Sequence, residues 1–145
     1  MTSYHDLPHK EKEQLLMFPA YISLLAANYH NNGIDKKEKQ TAIEYAHIKT
    51  FSSNPILMEF FTDAEKDFEK NITFLNEQLP KRKGEREIVI REALSRLEKI
   101  LSDLGTEYSF AMHESMNEYK EHVAHAHQSL MEYLVFPIPI KGLTY

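Results

Sequence analysis

The second half of the chain carries an apolar stripe at helical spacing, and this stripe limits the possible folds more than any other feature. Apolar residues recur every three or four positions, as on one face of a helix. They are Ile90, Ala93, Leu94, Leu97, Ile100, Leu101, Leu104, Tyr108, Met112, Met116, Tyr119, Val123, Ala126 and Leu130. At 1.5 Å per residue, one unbroken helix of this extent is too long for a compact domain. We therefore predict that Gly105 and Thr106 end one helix and cap the next.

The first half of the chain predicts two helices on either side of a polar turn. The first runs from about Lys10 to Tyr29. Pro19 cannot donate to the residue four positions back, so the helix either begins there or kinks, and we favour a kink. The second runs from Lys36 to about Phe51. We expect its inward face to include Ile43, Tyr45, Ala46, His47 and Ile48.

The middle of the chain predicts two further helices. Asn54 followed by Pro55 is typical of a helix start, here of a short helix through Phe61. Thr62 and Glu65 then have the spacing of a capping box. They would open a helix that ends at Pro80 and whose core residues are Phe68, Ile72 and Leu75. Because no segment alternates apolar and polar residues over the length of a strand, the fold class is all-α.

The domain organisation follows from length and local composition. A chain of 145 residues suits one domain, 1–145, a compact array of about six helices. We expect a flexible N-terminus at 1–9 and an inter-helix linker at 80–84. Pro137 and Pro139 favour an extended tail over 135–145, and its apolar side chains would be costly to leave in water, so the tail should dock on the helices or on a partner subunit.

Composition excludes several classes of function. The 22 acidic and 17 basic residues give a net charge of -5, which argues against nucleic-acid binding. The cluster Lys81–Lys83 fits a solvated linker. The chain has no cysteine, and therefore no thiolate metal site or cysteine nucleophile. We see neither a secretory signal nor an apolar run long enough to span a membrane, and we expect a cytoplasmic protein.

The turn between the first two helices is the most specific local motif. Asp35 and Glu38 have the spacing of a capping box, which fixes a helix-loop-helix. Together with Asn28, His30 and Asn32, they offer oxygen and nitrogen donors at about every second position, so the turn is either a plain capped corner or a divalent-metal site. If a calcium-binding loop is counted from Asn28, its twelfth and last position is Lys39, where a carboxylate ligand is required.

The same region resembles a known family. The segments "LLAAN" and "NGIDKKE" are similar to the recurrent element of the TerB-like tellurite-resistance proteins. The matching residues are Leu24, Ala26, Ala27, Gly33, Ile34 and Glu38. The resemblance implies a bacterial, all-helical protein built of two similar halves, with acids of this turn around a metal or polar ligand. Glu38 transfers directly from that pattern, while Asn28 occupies the place of the family's first acid. His30 and Asp35 are then the replacement ligands.

Two other groups of residues have the spacing of metal ligands. Glu118, His122 and His125 would share one helix face, within reach of a common ion, although such histidines are commonly surface residues. Glu44 and His47 form one Glu-x-x-His step of the kind that di-iron bundles use in two copies. A second copy of this step is missing from the sequence.

The sequence therefore predicts a non-catalytic, stress-associated TerB-like module that interacts with a protein partner or with a second copy of itself. A divalent metal ion would bind at Asn28, His30, Asp35 and Glu38, or as a second choice at Glu118, His122 and His125. The competing prediction is a metal-dependent helical-bundle enzyme or metal-storage protein with histidine and glutamate ligands. No residue is predicted to be catalytic.

Overall fold

The computed structural model describes residues 2–29 and 33–126, and these residues form helices and turns without any strand. The α-helices of this part are α1 (His9–Leu16), α2 (Phe18–Asn28), α3 (Lys36–Ser52), α4 (Met58–Lys66), α5 (Phe68–Gln78), α6 (Lys83–Ser102) and α7 (Thr106–Ala124). Short 3-10 helices at Tyr4–Asp6 and Pro55–Leu57 precede α1 and α4. The helices pack around one hydrophobic core, which confirms the predicted compact all-α array.

Helix α2 lies at the centre of the array and packs against α5, α6 and α7. Its sequence, FPAYISLLAAN, is apolar on nearly all sides, which is typical of a helix surrounded by protein. Ser23 is buried as well, and its hydroxyl donates to the Pro19 carbonyl at 2.8 Å. The central position of α2 means that both its ends, including the turn that leads to α3, are anchored on neighbouring helices.

The break between α1 and α2 corrects the prediction of one kinked helix from Lys10 to Tyr29. Helix α1 ends at Leu16, and α2 begins anew at Phe18. Pro19 therefore lies in the first turn of α2, where a missing N–H leaves no helical hydrogen bond unmade. Before α1, Tyr4 and Leu7 are buried.

The apolar stripe of the second half lies in the core as predicted. Helix α6 buries Ile90, Ala93, Leu97 and Leu101, and the described part of the stripe continues along α7. Leu130 lies outside the described residues. Gly105 separates the two helices with φ 92°, a backbone conformation that residues with a Cβ rarely adopt.

The predicted cap at Thr106 is wrong. Gly105 itself occupies the N-cap position of α7, without a side-chain cap, and Thr106 is the first helical residue.

The central helices differ from the prediction at two places. Asn54 caps the start as expected, its Oδ1 accepting from the Ile56 N–H at 3.1 Å, but the helical segment continues to Lys66 instead of ending near Phe61. The predicted capping box at Thr62 and Glu65 is wrong, because both residues lie inside α4. The next helix, α5, begins at Phe68 and buries Phe68, Ile72 and Leu75 as predicted.

Helix α3 has the predicted extent but a different inward face. Tyr45 and Ala46 are buried as expected, whereas His47 and Ile48 are exposed. Lys49 is buried in their place, at 5 % exposure. The apolar residues of α3 are thus divided between the core and a second surface.

Candidate functional site

The turn between α2 and α3 closes as the predicted capping box. The Glu38 N–H donates to Asp35 Oδ1 at 2.8 Å, and the Asp35 N–H donates to Glu38 Oε1 at 3.0 Å. Glu38 is fully buried. Both acids predicted as ligands therefore have a structural role at the start of α3.

Asn28, the third predicted ligand of the turn, ties α2 to α6. Its Nδ2 donates to the Lys83 carbonyl at 3.0 Å. The Lys83 Nζ in turn donates to the carbonyl of Tyr29, the next residue after Asn28, at 3.1 Å. Asn28 Oδ1 is buried and accepts no hydrogen bond from the described residues. His30 and Asn32 lie outside the described residues. Of the predicted set, Asp35 and Glu38 contact each other at the corner where α3 begins, whereas Asn28 contacts Lys83 of α6.

A buried arginine under this corner was not predicted. Arg86 is fully buried, its Nη1 donating to the Pro80 carbonyl at 3.2 Å and its Nη2 to Asn76 Oδ1. The same Asn76 oxygen accepts from the Ile34 N–H at 3.3 Å, so Asn76 connects the turn to α6. Gly33 fits closely here, since a Cβ on it would lie 3.3 Å from Asn76 Oδ1.

Burial has a clear electrostatic effect on this arginine, because it lowers the pKa of the Arg86 guanidinium. The sequence did contain a signal for its position. Arg86 precedes Ile90 by four residues and Ala93 by seven, so it lies on the buried face of the α6 stripe.

The second predicted metal set is engaged with the protein itself. Glu118 Oε1 accepts from Lys49 Nζ at 2.8 Å. The His122 ring stacks on Tyr45 with centroids 4.0 Å apart, and its Nδ1 lies 2.9 Å from the Glu118 carbonyl oxygen. His125 follows the end of α7 and is half-buried. Within residues 2–29 and 33–126, no three His, Asp or Glu side chains are placed to hold a metal ion together.

The Glu-x-x-His step of α3 also finds a different partner from the one its spacing suggested. His47 Nδ1 lies 2.5 Å from Glu65 Oε2 on α4, and both side chains are partly exposed. The His47 ring also makes an edge contact with Phe51, with centroids 5.6 Å apart. These contacts leave His47 and Glu44 at the edge of a surface groove.

This groove runs between α3 and α5 and has a volume of about 1260 Å³. Its apolar lining comes from Ile43, Ala46 and Ile48 on α3 and from Phe68 and Phe74 on α5. Phe74 is 54 % exposed and Ile48 is 43 % exposed, so the groove presents apolar side chains to water from both of these helices. The groove therefore combines buried apolar side chains, such as Phe68 and Ala46, with exposed ones, such as Phe74 and Ile48.

Charged side chains surround the apolar floor of the groove. Four carboxylates lie along it: Glu44, Glu65, Glu69 and Glu77. The basic groups are Lys66 and Lys70, besides His47. An excess of carboxylates at the edge of an apolar floor favours an occupant that is apolar and carries positive charge.

Known proteins offer no further evidence about the groove or the turn. No family model matches the chain, and searches among curated proteins and among solved structures also find no match. Across the described part of the chain, no helix combines the length and apolar content needed to cross a membrane.

Proposed function

We propose that this protein is a non-catalytic interaction module that binds an apolar, positively charged peptide segment of a partner protein in the groove between α3 and α5. The exposure of Phe74 and Ile48 on facing helices is the observation that carries this proposal. Burying such side chains against a partner gains about 25 cal/mol for each Å² removed from water.

The groove also limits the size and chemistry of the bound segment. Helix α5 has 11 residues, so the groove offers about 16 Å of length at 1.5 Å per residue. A segment of that length could present a few apolar side chains to the floor and a Lys or Arg to Glu69 or Glu77. Apolar anchors within a charged rim are the usual basis of peptide recognition in a groove.

Selection from a displayed library of random peptides tests the proposal. The baits are the full chain and a full-length variant with Phe136→Asp, Ile138→Asp and Ile140→Asp, in which the apolar C-terminal segment cannot compete for the groove. We expect selected peptides with apolar residues and at least one Lys or Arg. They should bind the double variant Ile48→Glu, Phe74→Glu about tenfold more weakly or worse, which is about 1.4 kcal/mol.

Phe110→Glu supplies the matched control, because Phe110 is 65 % exposed on α7 and does not line the groove. It should leave peptide binding unchanged, and melting curves should show that all variants are folded. Failure of both baits to select peptides that depend on Ile48 and Phe74 would overturn the proposal.

The remaining expectations from the sequence belong to the same proposal. The resemblance to TerB-like proteins at Leu24, Ala26, Ala27, Gly33, Ile34 and Glu38 supports a stress-associated role and a cytoplasmic location. A divalent metal at the turn is the second candidate. The observation that favours it is the buried Asn28 Oδ1 at the end of α2, which accepts no bond from the described residues.

A further inference from the structure

The groove and the C-terminal segment of the same chain complement each other. Residues 127–145 lie outside the described part of the structure, and their sequence is strongly apolar. Its apolar members are Leu130, Met131, Tyr133, Leu134, Val135, Phe136, Ile138, Ile140, Leu143 and Tyr145. We propose that this segment binds in the α3–α5 groove of its own chain and thereby competes with the partner segment. The competition rests on the proposed function, whereas the binding of the segment does not.

The course of α7 brings the start of this segment close to the groove. His122 on α7 stacks on Tyr45 of α3, and Glu118 pairs with Lys49 one turn further along α3. Ala126 lies four residues beyond His122 and two beyond the end of α7, so the two residues are at most about 14 Å apart along the chain. Tyr45 is directly between Glu44 and Ala46, both of which line the groove on the other side of the same helix. The segment has to pass only the width of α3, about 10 Å.

The length of the segment is ample for this path. Residues 127–145, fully extended, reach about 60 Å at 3.3 Å per residue. A stretch of five extended residues covers about 16 Å, which is the length of α5. The segment can therefore cross α3 and still place such a stretch along the whole groove.

The sequence of that stretch fits the groove. In Phe136–Ile140, apolar residues alternate with Pro137 and Pro139. A residue before proline is held in an extended conformation, so Phe136 and Ile138 are both biased away from helix. In an extended chain, alternate side chains point to the same side, which places Phe136, Ile138 and Ile140 together.

The lysine of the segment also complements the carboxylates of the groove. The segment contains one acidic residue, Glu132, and its one lysine, Lys141, follows Ile140 directly. Lys141 would meet the carboxylates of the groove rim as the apolar side chains meet its floor. The stretch Phe136–Lys141 thus has the chemistry proposed for the partner, and little conformational freedom is lost when a proline-restricted stretch binds.

Photo-crosslinking in the full chain tests the binding. The photoreactive amino acid p-benzoylphenylalanine replaces Phe74 in the groove or, as the control, Phe110 on α7. After irradiation, mass spectrometry identifies the crosslinked residues. We expect the Phe74 probe to link to residues 127–145 within a monomer, and the Phe110 probe not to do so.

Three results from the two probes would overturn the proposal. They are the absence of crosslinks from Phe74 to residues 127–145, equal crosslinking from the Phe110 probe, and a covalent dimer as the main product, which would make a second copy the occupant. The triple variant with Phe136→Asp, Ile138→Asp and Ile140→Asp should lose at least about tenfold of the crosslinked product. An unchanged yield would also contradict the assignment.

The two proposals fail in distinguishable ways. If residues 127–145 crosslink to the groove but neither bait selects groove-dependent peptides, the segment binds and the partner function is wrong. If selected peptides bind the full chain and the triple variant equally and no crosslink forms, the partner function stands and the C-terminal segment is not the competitor. If both proposals hold, the triple variant binds the selected peptides about tenfold more tightly than the full chain.

Discussion

Lys49 of α3 donates from Nζ to Glu118 Oε1 of α7 at 2.8 Å, and the lysine side chain is only 6 % exposed while that of the glutamate is 51 % exposed. The ammonium also lies over the rings of Tyr45 and Phe61, at 5.8 and 5.3 Å from their centroids. The two partners thus lie in very different environments. Loss of the carboxylate leaves a buried charge, whereas loss of the lysine leaves a carboxylate that water can reach.

This asymmetry predicts that Glu118→Ala destabilises the protein more than Lys49→Met. We expect a loss of about 1 to 3 kcal/mol of unfolding free energy for Glu118→Ala, because the Lys49 ammonium stays buried without its partner. Lys49→Met keeps the apolar stem and should cost less than about 1 kcal/mol. Urea unfolding of both variants and of the double variant checks the order. If Lys49→Met lost more unfolding free energy than Glu118→Ala, the prediction that the unpaired Lys49 ammonium is the costly partner would be wrong.

Arg86 should be among the side chains on which stability depends most. Arg86→Ala removes the donors to the partly buried Pro80 carbonyl and Asn76 Oδ1, and it leaves a cavity at the start of α6. We expect a loss of about 2 to 4 kcal/mol. The control is Arg91→Ala, which breaks an exposed pair with Glu87 and should cost less than about 1 kcal/mol. Equal unfolding free energies for the two variants would contradict the role of Arg86.

Substitutions of Asp35 distinguish the structural role of the capping box from the proposed metal site at the turn. Asp35→Ala should cost about 1 kcal/mol through the lost bond to the Glu38 N–H, and Asp35→Ser, which keeps a capping oxygen, should restore most of this. Melting curves measure both. If serine restores stability and neither EDTA nor added Zn, Fe or Ca moves the melting temperature, the turn is a structural corner.

A metal at the turn would give a different pattern. Elemental analysis would find the ion, EDTA would lower the melting temperature, and Asp35→Ser would lose the metal although it keeps the cap. The double variant His122→Ala, His125→Ala tests the second predicted set in the same assay. If only that variant lost the metal, the ion would bind at the α7 set and not at the turn.

The buried tyrosines predict a steep loss of stability at alkaline pH. Burial raises the pKa of Tyr4, Tyr45, Tyr108 and Tyr119 well above the usual value of ~10. Above that pH the unfolded chain has released these protons and the folded chain still holds them, so the free energy of unfolding falls as pH rises. Each such tyrosine contributes up to about 1.4 kcal/mol per pH unit.

Phenolate absorbance and circular dichroism, recorded together, measure this effect. The chain has 8 tyrosines, and just above pH ~10 part of the full phenolate signal should be missing while the helical signal remains native. The missing part should appear together with unfolding. Complete ionisation in a protein that is still helical would show that the buried hydroxyls reach water.

Local sequence was sufficient for much of the helical architecture. The stripe from Ile90 to Val123, the break at Gly105 and the capping box at Asp35 were predictable, because each depends on residues within one or two turns of each other. The predicted capping box at Thr62 and Glu65 was wrong because it also rested on local spacing alone. A capping spacing inside a helix looks the same as one at its start, and only the packing of α4 decides between them.

What the sequence by itself determined is therefore the helices, most of their apolar faces and the turn at Asp35. The tertiary structure decided which charges are buried, since Lys49 donates to Glu118 on α7, and Arg86 donates to Asn76 on α5 and to Pro80 in the α5–α6 connection. It also decided the groove, which exists because α3 turns Ile43 and Ile48 toward α5 without closing on Phe74. The physical reason is that helix periodicity assigns a side chain to a face, but the distance between two faces depends on all the helices that hold them apart.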